Sequence, residues 1–340
     1  ACGLLLSPAS AQTTATTDPV GAMTVTLPAH DGGDDTIVAI SVPLNNSPLF
    51  EGKVSSVVGT TLSFSNQPFT SEEFAQTDPN GNSLYSVFFG SGSAEGLEVD
   101  ISSNNQSEIF LREDVSELVS VGDEVIVRKY LTIADLLGAT NKFGLQGGTS
   151  AGESDIVYLL NNQGAFIPYF YQVAPPFAGG TGWRRSGAAG VSASDVRIEW
   201  STIFVARSGS TPRPEVEVVG SGVVAQGLVK KPVHPGLNLL GYSFPVDTTL
   251  GELGLPIDEL VTGGNAGQAD IVYILEVTSG SRAWIPYYYQ VAPSFAGGNG
   301  WRQSGASGVD ASDTPISANA AVLIDRVGDS AFYMENSQPY

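Results

Sequence analysis

The sequence predicts an all-β protein, with a small N-terminal barrel or sandwich followed by two similar β-sandwich-like repeat domains. Three observations carry that expectation. Short β-branched and aromatic runs alternate with Gly-, Asn- and Ser-rich turns along most of the chain. Two 29-residue segments, starting at Ile167 and Ile285, match at 23 positions without a gap. Helical signals are confined to Thr132–Gly138 and Thr248–Gly254, each with a Thr placed to cap a turn or two.

Taken in order, residues 1–11 read as the remnant of an export signal. Gly3-Leu4-Leu5-Leu6 ends an apolar stretch, Ala9-Ser10-Ala11 fits a small-x-small cleavage pattern, and Gln12 is the expected mature start. Residues 12–35 are expected to be coil. Residues 36–130 form the barrel-like domain: Lys53–Phe64 is a hairpin, and Leu84–Phe89, Gly96–Ile101, Glu108–Leu111 and Glu124–Arg128 add strands between turns. Residues 131–207 are the first repeat, 208–235 a linker with short strands, 236–327 the second repeat and 328–340 a C-terminal tail.

Within the repeats, Asp155-Ile156-Val157-Tyr158 matches Asp270-Ile271-Val272-Tyr273. The second copy is three residues longer between its two matching blocks. The extra length falls among turn residues, as a hairpin tip allows. In the next strand, period-two spacing puts Ile167, Tyr169 and Tyr171 on one face and Pro168, Phe170 and Gln172 on the other. Proline inside that strand argues for an edge position or a bulge. Two copies fall short of a solenoid and point to two similar domains.

Composition excludes several classes. With 15 basic against 35 acidic residues the formal charge is −20, and no basic cluster could track a phosphate backbone. The 42% apolar content and 40 glycines are those of a folded chain and not of an acidic tail. The single cysteine, Cys2, lies in the export signal, so neither a disulfide nor a thiolate metal site is expected in the mature protein. No apolar run is long enough to insert in a membrane. No cofactor and no metal site are expected.

Candidate chemistry is sparse. Gly148-Thr149-Ser150-Ala151-Gly152 has the Gly-x-Ser-x-Gly form of a nucleophile elbow but precedes a strand instead of following one. His30 and His234 are the two histidines, and neither has marked partners for a triad. Asp78–Asn82 begins like a calcium loop, yet Ser83 and Phe89 occupy positions where an EF-hand needs Gly and Glu. Asp31–Asp35 is a looser oxygen-rich loop; a solvated turn is the simpler reading of both. The recurring set of Tyr169, Tyr171, Trp183 and Arg184 with Tyr287, Tyr289, Trp301 and Arg302 carries more weight. Aromatic rings stack on sugar faces and Arg and Gln bind hydroxyls, so the set could form one glycan platform per repeat. The plainer reading is that Tyr and Trp fill two cores while Arg covers a Trp face or pairs with Asp195 or Asp313.

Several blocks carry a resemblance. They are Ile40-Ser41-Val42-Pro43-Leu44, Phe50-Glu51-Gly52-Lys53-Val54, Gly90–Gly96 and Gly122–Val125, then Gly236–Gly241, Phe244–Leu250, Asp270–Tyr273 and Trp301-Arg302. The chain resembles a family of exported bacterial β-rich proteins without an assigned activity, in which a barrel-like unit precedes a duplicated β module of secreted surface proteins. In that module a Trp usually stands where this chain has Leu237. The resemblance implies a fold and a secreted location (extracellular, cell-surface or periplasmic) and supplies no catalytic residues.

The expected function is therefore that of a secreted, non-catalytic structural protein of a cell surface or matrix, with self-association or extracellular glycan as partner. A carbohydrate-binding protein using the aromatic faces is the alternative, and a glycan-active hydrolase with paired carboxylates the third.

Overall fold

A computed structural model describes residues 20–340 apart from 34, 162, 189, 279–280, 295–296 and 307. The expected export signal, its Cys2 and the expected start at Gln12 lie outside the described residues. The fold is nearly all β, and among the described residues the one α-helix is a single short segment.

The described residues begin with β1 (Val20–Leu27) and β2 (Thr36–Ser41), and the chain then enters the barrel. Its strands are β3 (Phe50–Lys53), β4 (Ser56–Val58), β5 (Thr61–Ser63), β6 (Tyr85–Phe89), β7 (Glu98–Asn104), β8 (Glu108–Leu111) and β9 (Glu124–Lys129). They hydrogen-bond in the order β3-β9-β6-β7-β8-β5-β4. Because β3 and β4 follow each other directly in the chain, the segment 50–58 pairs with both ends of the sheet and closes it, which leaves no long open edge. Alternation sends Val87, Phe89, Val125 and Val127 inward, where Phe50, Phe64, Phe69 and Phe74 interlock edge to face at centroid distances of 4.8–5.5 Å.

Helix α1 (Ile133–Leu137) follows, with Thr132 and Asp135 forming a reciprocal capping box. The first repeat then supplies β10 (Ile156–Leu160), β11 (Phe166–Gln172), β12 (Gly182–Arg185), β13 (Thr202–Arg207) and β14 (Val216–Val223). The second runs through β15 (Leu228–Val233), β16 (Gly236–Gly241), β17 (Thr248–Thr249), β18 (Ile271–Thr278), β19 (Ser281–Gln290), β20 (Gly300–Gln303), β21 (Pro315–Ile316), β22 (Ala321–Arg326) and β23 (Phe332–Ser337).

Two five-stranded sheets result, ordered β12-β11-β10-β13-β2 and β20-β19-β18-β22-β16. Segments that match in sequence hold the same place in both. The added length of the second copy extends the β18–β19 hairpin, whose tip falls partly outside the described residues. Each large sheet packs on a two-stranded one, β1-β14 in the first case and β15-β23 in the second.

This topology differs from the expected division in several places. Residues 20–27, expected as coil, form β1 because Val25 and Leu27 alternate into the first core opposite Val216 and Val218. Strand β2, expected in the barrel domain, is the edge strand of the first repeat and occupies the place of β16. The barrel is thus inserted into that repeat between β2 and α1. The stretch 208–235, expected as a linker, provides the closing strand of one unit and the opening strand of the next. The expected tail contains β23, held by Phe332 and Met334 in the second core.

Pro168 also departs from expectation, since β11 is a central strand between β10 and β12. The ring is tolerated because β12 has ended there: its pairing stops at Tyr169–Arg185, and Ser186 N donates to Pro168 O at 2.9 Å. The missing N–H points past the last ladder bond. Pro286 repeats the arrangement with Ser304 N at 2.8 Å.

The two large sheets meet back to back. Ala39, Phe204, Leu239 and Ala321 are buried between them, with Phe204 edge-on to Trp284 at 5.4 Å. Strand β2 touches β22, β16 touches β13, and β2 touches β16. That exchange of equivalent partners is the mark of an approximate two-fold axis. The units also interlock, because Tyr242 and Phe244, just after β16, pack in the core of the first unit.

Candidate functional site

The recurring aromatics lie inside the two units. Trp183 is 0% and Trp301 4% exposed, and Tyr169 and Tyr287 are buried with them. Tyr171 and Tyr289 are half-buried and meet their Trp edge-on at 5.4 and 5.7 Å. The indole Nε1 of Trp183 donates to Gly138 O at the end of α1 (2.8 Å), which fixes the ring against the helix. Tyr287 donates to Glu276 at 2.6 Å, and burial together with this bond pushes its hydroxyl up to about 12. Period-two alternation is realised: Ile167, Tyr169 and Tyr171 face the first core, and in the second copy Tyr288 turns to the opposite face. The rings of Trp183, Trp301, Tyr169 and Tyr287 are taken up by core packing, whereas Tyr171 and Tyr289 keep part of their surface exposed.

Arg184 and Arg302 do not lie over the Trp rings. Each folds back onto the Gly-rich turn before it. Arg184 donates to Trp183 O at 2.8 Å and Gly179 O at 2.6 Å, and Arg302 to Trp301 O and Gly297 O, both at 2.7 Å. Gly182 and Gly300, both at φ +148°, carry the chain past the guanidinium, where a Cβ would meet Nη1 at 3.1 and 2.9 Å. The repeated Asp of the Asp-Ile-Val-Tyr block is likewise structural. Asp155 is fully buried, accepts from Gln146 N and pairs with Arg207 and Arg213. Asp270 accepts from Val261 N and pairs with Arg326 at 2.8 Å.

The remaining sequence candidates are dispersed. Ser150 lies in a loop that runs into β10, and its carbonyl accepts from Ser154 Oγ. His30 is buried with Nε2 2.7 Å from Gly209 O, whereas His234 lies between β15 and β16, its backbone N–H donating to Asn238. Asp78, expected in a solvated turn, is buried and accepts from Asn80 N, Asn82 N, Asn82 Nδ2 and Arg197 N. Among the described residues no group of three or more His, Cys, Asp or Glu could hold a metal ion.

The chemistry that sequence reasoning missed lies where the barrel meets both repeats. Arg197 is its hub. Its guanidinium donates to Asp100 (2.6 Å), Ser83 O (3.0 Å) and Glu199 (2.9 Å) and stacks 3.9 Å from the centre of Tyr130. Burial works against its charge, but Glu199, Tyr130 and Asp100 more than offset that and hold it protonated. Tyr130 donates to Asp100 at 2.9 Å, and burial, with Glu98 nearby, raises its hydroxyl well above the usual value.

Beside this network is a cavity of about 50 Å³ lined by Glu98, Arg128, Tyr130, Trp200, Ser201 and Lys231, among others. Arg128 also lines an adjoining groove of about 480 Å³ between the barrel and residues 223–227. Lys231 is buried, donates to Gly241 O at 2.7 Å, and is pushed down to about 7 by burial, which Glu98 only partly opposes. Trp200 and Ser201 adopt φ of +49° and +55°, a left-handed pair in which bulky residues are strained.

One sequence signal pointed here. Lys231 falls between Val229 and Val233 in a strand, so alternation puts it on the apolar face. Arg128 and Arg197 carry no such mark, because Glu98, Asp100, Ser83 and Tyr130, which surround them, come mostly from distant parts of the chain. Among the described residues, no helix is long and apolar enough to cross a membrane. No protein-family model, curated protein or solved structure matches the chain.

Proposed function

We propose that the protein is a secreted, non-catalytic structural module of a cell surface or matrix. The observation that carries this reading is the use of the repeated chemistry for internal order. The Trp–Arg pairs clamp glycine turns, the Asp residues tie loops to buried arginines, and the Tyr residues fill cores. The barrel is inserted into the first repeat and joined to it by the Arg197 network, which suits a rigid body that presents surface more than one that opens and closes around a substrate. A location outside the cytoplasm rests on the export-signal pattern at residues 1–11 and on the resemblance of the repeats to secreted modules.

The test compares Trp183→Ala and Trp301→Ala with the parent in urea unfolding and on a glycan array. The expected outcome is a large fall in unfolding midpoint for each variant, as truncation of a buried Trp costs about 3–5 kcal/mol, and no glycan retained by the parent through these residues. Variants as stable as the parent that lose a glycan the parent binds would replace this reading with a lectin.

A further inference from the structure

Arg128 is the one buried arginine among the described residues whose side chain makes no hydrogen bond. It is 8% exposed, its Nε has no partner, and its nearest carboxylate oxygen, on Glu98, stands 3.7 Å away. Glu98 is held by Ser86, whose hydroxyl donates to the same oxygen at 2.6 Å. The other buried arginines, Arg184, Arg197, Arg207, Arg213, Arg302 and Arg326, each donate at least one hydrogen bond. A buried guanidinium Nε–H without a hydrogen-bond acceptor is costly and calls for one.

Its surroundings are those of a site. Strand alternation fixes its position, with Val125 and Val127 in the barrel core and Arg128 on the outer face. The ring of Phe88, 4.5 Å away, lies against the guanidinium and holds its plane. The side chain lines both the small cavity and the groove outside it. A volume of about 50 Å³ admits a carboxylate-sized group, given that one water needs ~10–15 Å³ on this measure. Lys231 lines the same cavity, its Nζ donating to Gly241 O. The strained Trp200–Ser201 pair forms another part of the wall.

We infer that this cavity binds a small monocarboxylate, with the planar fork of Arg128 taking the carboxylate and the groove beside residues 223–227 taking its organic body. A guanidinium matches a carboxylate with two parallel N–H···O bonds. The negative charge of Glu98 beside the site, and of the chain as a whole, opposes a dianion such as phosphate. The site is independent of the scaffold reading and would stand or fall without it.

Equilibrium dialysis of the full chain against radiolabelled acetate, at constant ionic strength with chloride as the balancing anion, tests the assignment. Saturable binding near one acetate per chain is expected, at least tenfold weaker in Arg128→Gln and several-fold tighter in Glu98→Gln, which removes the competing negative charge. Near-UV circular dichroism reports whether each variant keeps its fold. If Arg128→Gln does not fold, Glu98→Gln decides alone, and binding that fails to tighten overturns the proposal. It is also overturned by unsaturable binding in the parent, by equal binding in the parent and a folded Arg128→Gln, or by phosphate displacing acetate at lower concentration than propionate does.

Discussion

Ser41 and Gly241 hold the same place in the edge strands of the two large sheets and face each other where those sheets meet. A Cβ on Gly241 would overlap the Cβ and Oγ of Ser41. Near a two-fold axis, equivalent residues become neighbours, and here there is room for one side chain between them. The two copies therefore differ at a position where identity of anything larger than glycine would collide. The Ser41 hydroxyl is itself buried without a hydrogen-bond partner.

Gly241→Ala is expected to destabilise the protein by about 1–3 kcal/mol, the usual cost of forcing a methyl group into a packed interface. Combining it with Ser41→Gly should recover most of that loss. Ser41→Ala alone should be neutral or stabilising, since it removes an unsatisfied polar atom. Urea unfolding of the three variants measures all of this, and additive effects of the two substitutions would refute the contact.

Arg197 should be the most sensitive charged position. Arg197→Met leaves Asp100 and Glu199 without their cation and Ser83 O without a donor, so a loss of about 3–5 kcal/mol is expected. Asp100→Asn, which keeps an acceptor for Tyr130 and Arg197, should cost clearly less. Denaturant midpoints rank the two, and a mild Arg197→Met would mean that the junction is held by apolar packing alone.

Lys231 gives a pH signature. Its folded-state value of about 7 lies below the ordinary 10.5, so between those limits the unfolded chain binds a proton that the native protein does not. Stability gained from this group therefore rises with pH across that window and is flat below it. Glu98, Arg128, Lys129 and Tyr130 line the same cavity, and of these Glu98 acts to keep Lys231 charged. Relative to Lys231→Met, the parent should gain stability from pH 7 to pH 10. Parallel profiles in urea unfolding would show that the ammonium is hydrated.

The barrel should be separable. Asn46 Nδ2 donates to Lys129 O at 3.1 Å and Leu49 N to Val127 O at 2.8 Å, so the chain enters and leaves the barrel at neighbouring points. Replacing residues 47–128 with a short Gly/Ser linker is expected to leave both repeats folded, with Glu199 still paired to Arg197, but at a lower melting temperature. Circular dichroism and a single cooperative transition check this. A variant that is unfolded throughout would show that the repeats depend on the insertion.

How much of this was legible in the sequence varied with the range of the interaction. Alternation in Ile167–Gln172 placed its side chains on the correct faces, and the strands of the barrel were marked by turns on either side. Strand β2 was not, because its partner β13 lies beyond the whole barrel and its counterpart Gly236–Gly241 shares a pattern of apolar positions more than identities. Strands β1 and β23 were hidden for the same reason. The aromatic set was visible as a repeat, but whether Trp183 faces solvent or α1 depends on packing that spacing does not encode. The Arg128 and Arg197 sites were invisible, since Ser83, Glu98, Asp100 and Lys231 converge only after three units have assembled.

The insertion also dictates an order of events during synthesis. Strand β2 emerges long before β13 exists, and pairing such distant segments through a flexible loop would be slow. A barrel whose strands are mostly local can fold first and bring its own two ends together, turning the long loop into a short one. While it does so, the unpaired β2, with Ile37, Val38 and Ile40, is an adhesive edge awaiting its partner. Barrel formation is then a kinetic aid to the first repeat, and destabilising the barrel should lower the yield of folded protein more than its loss of equilibrium stability accounts for.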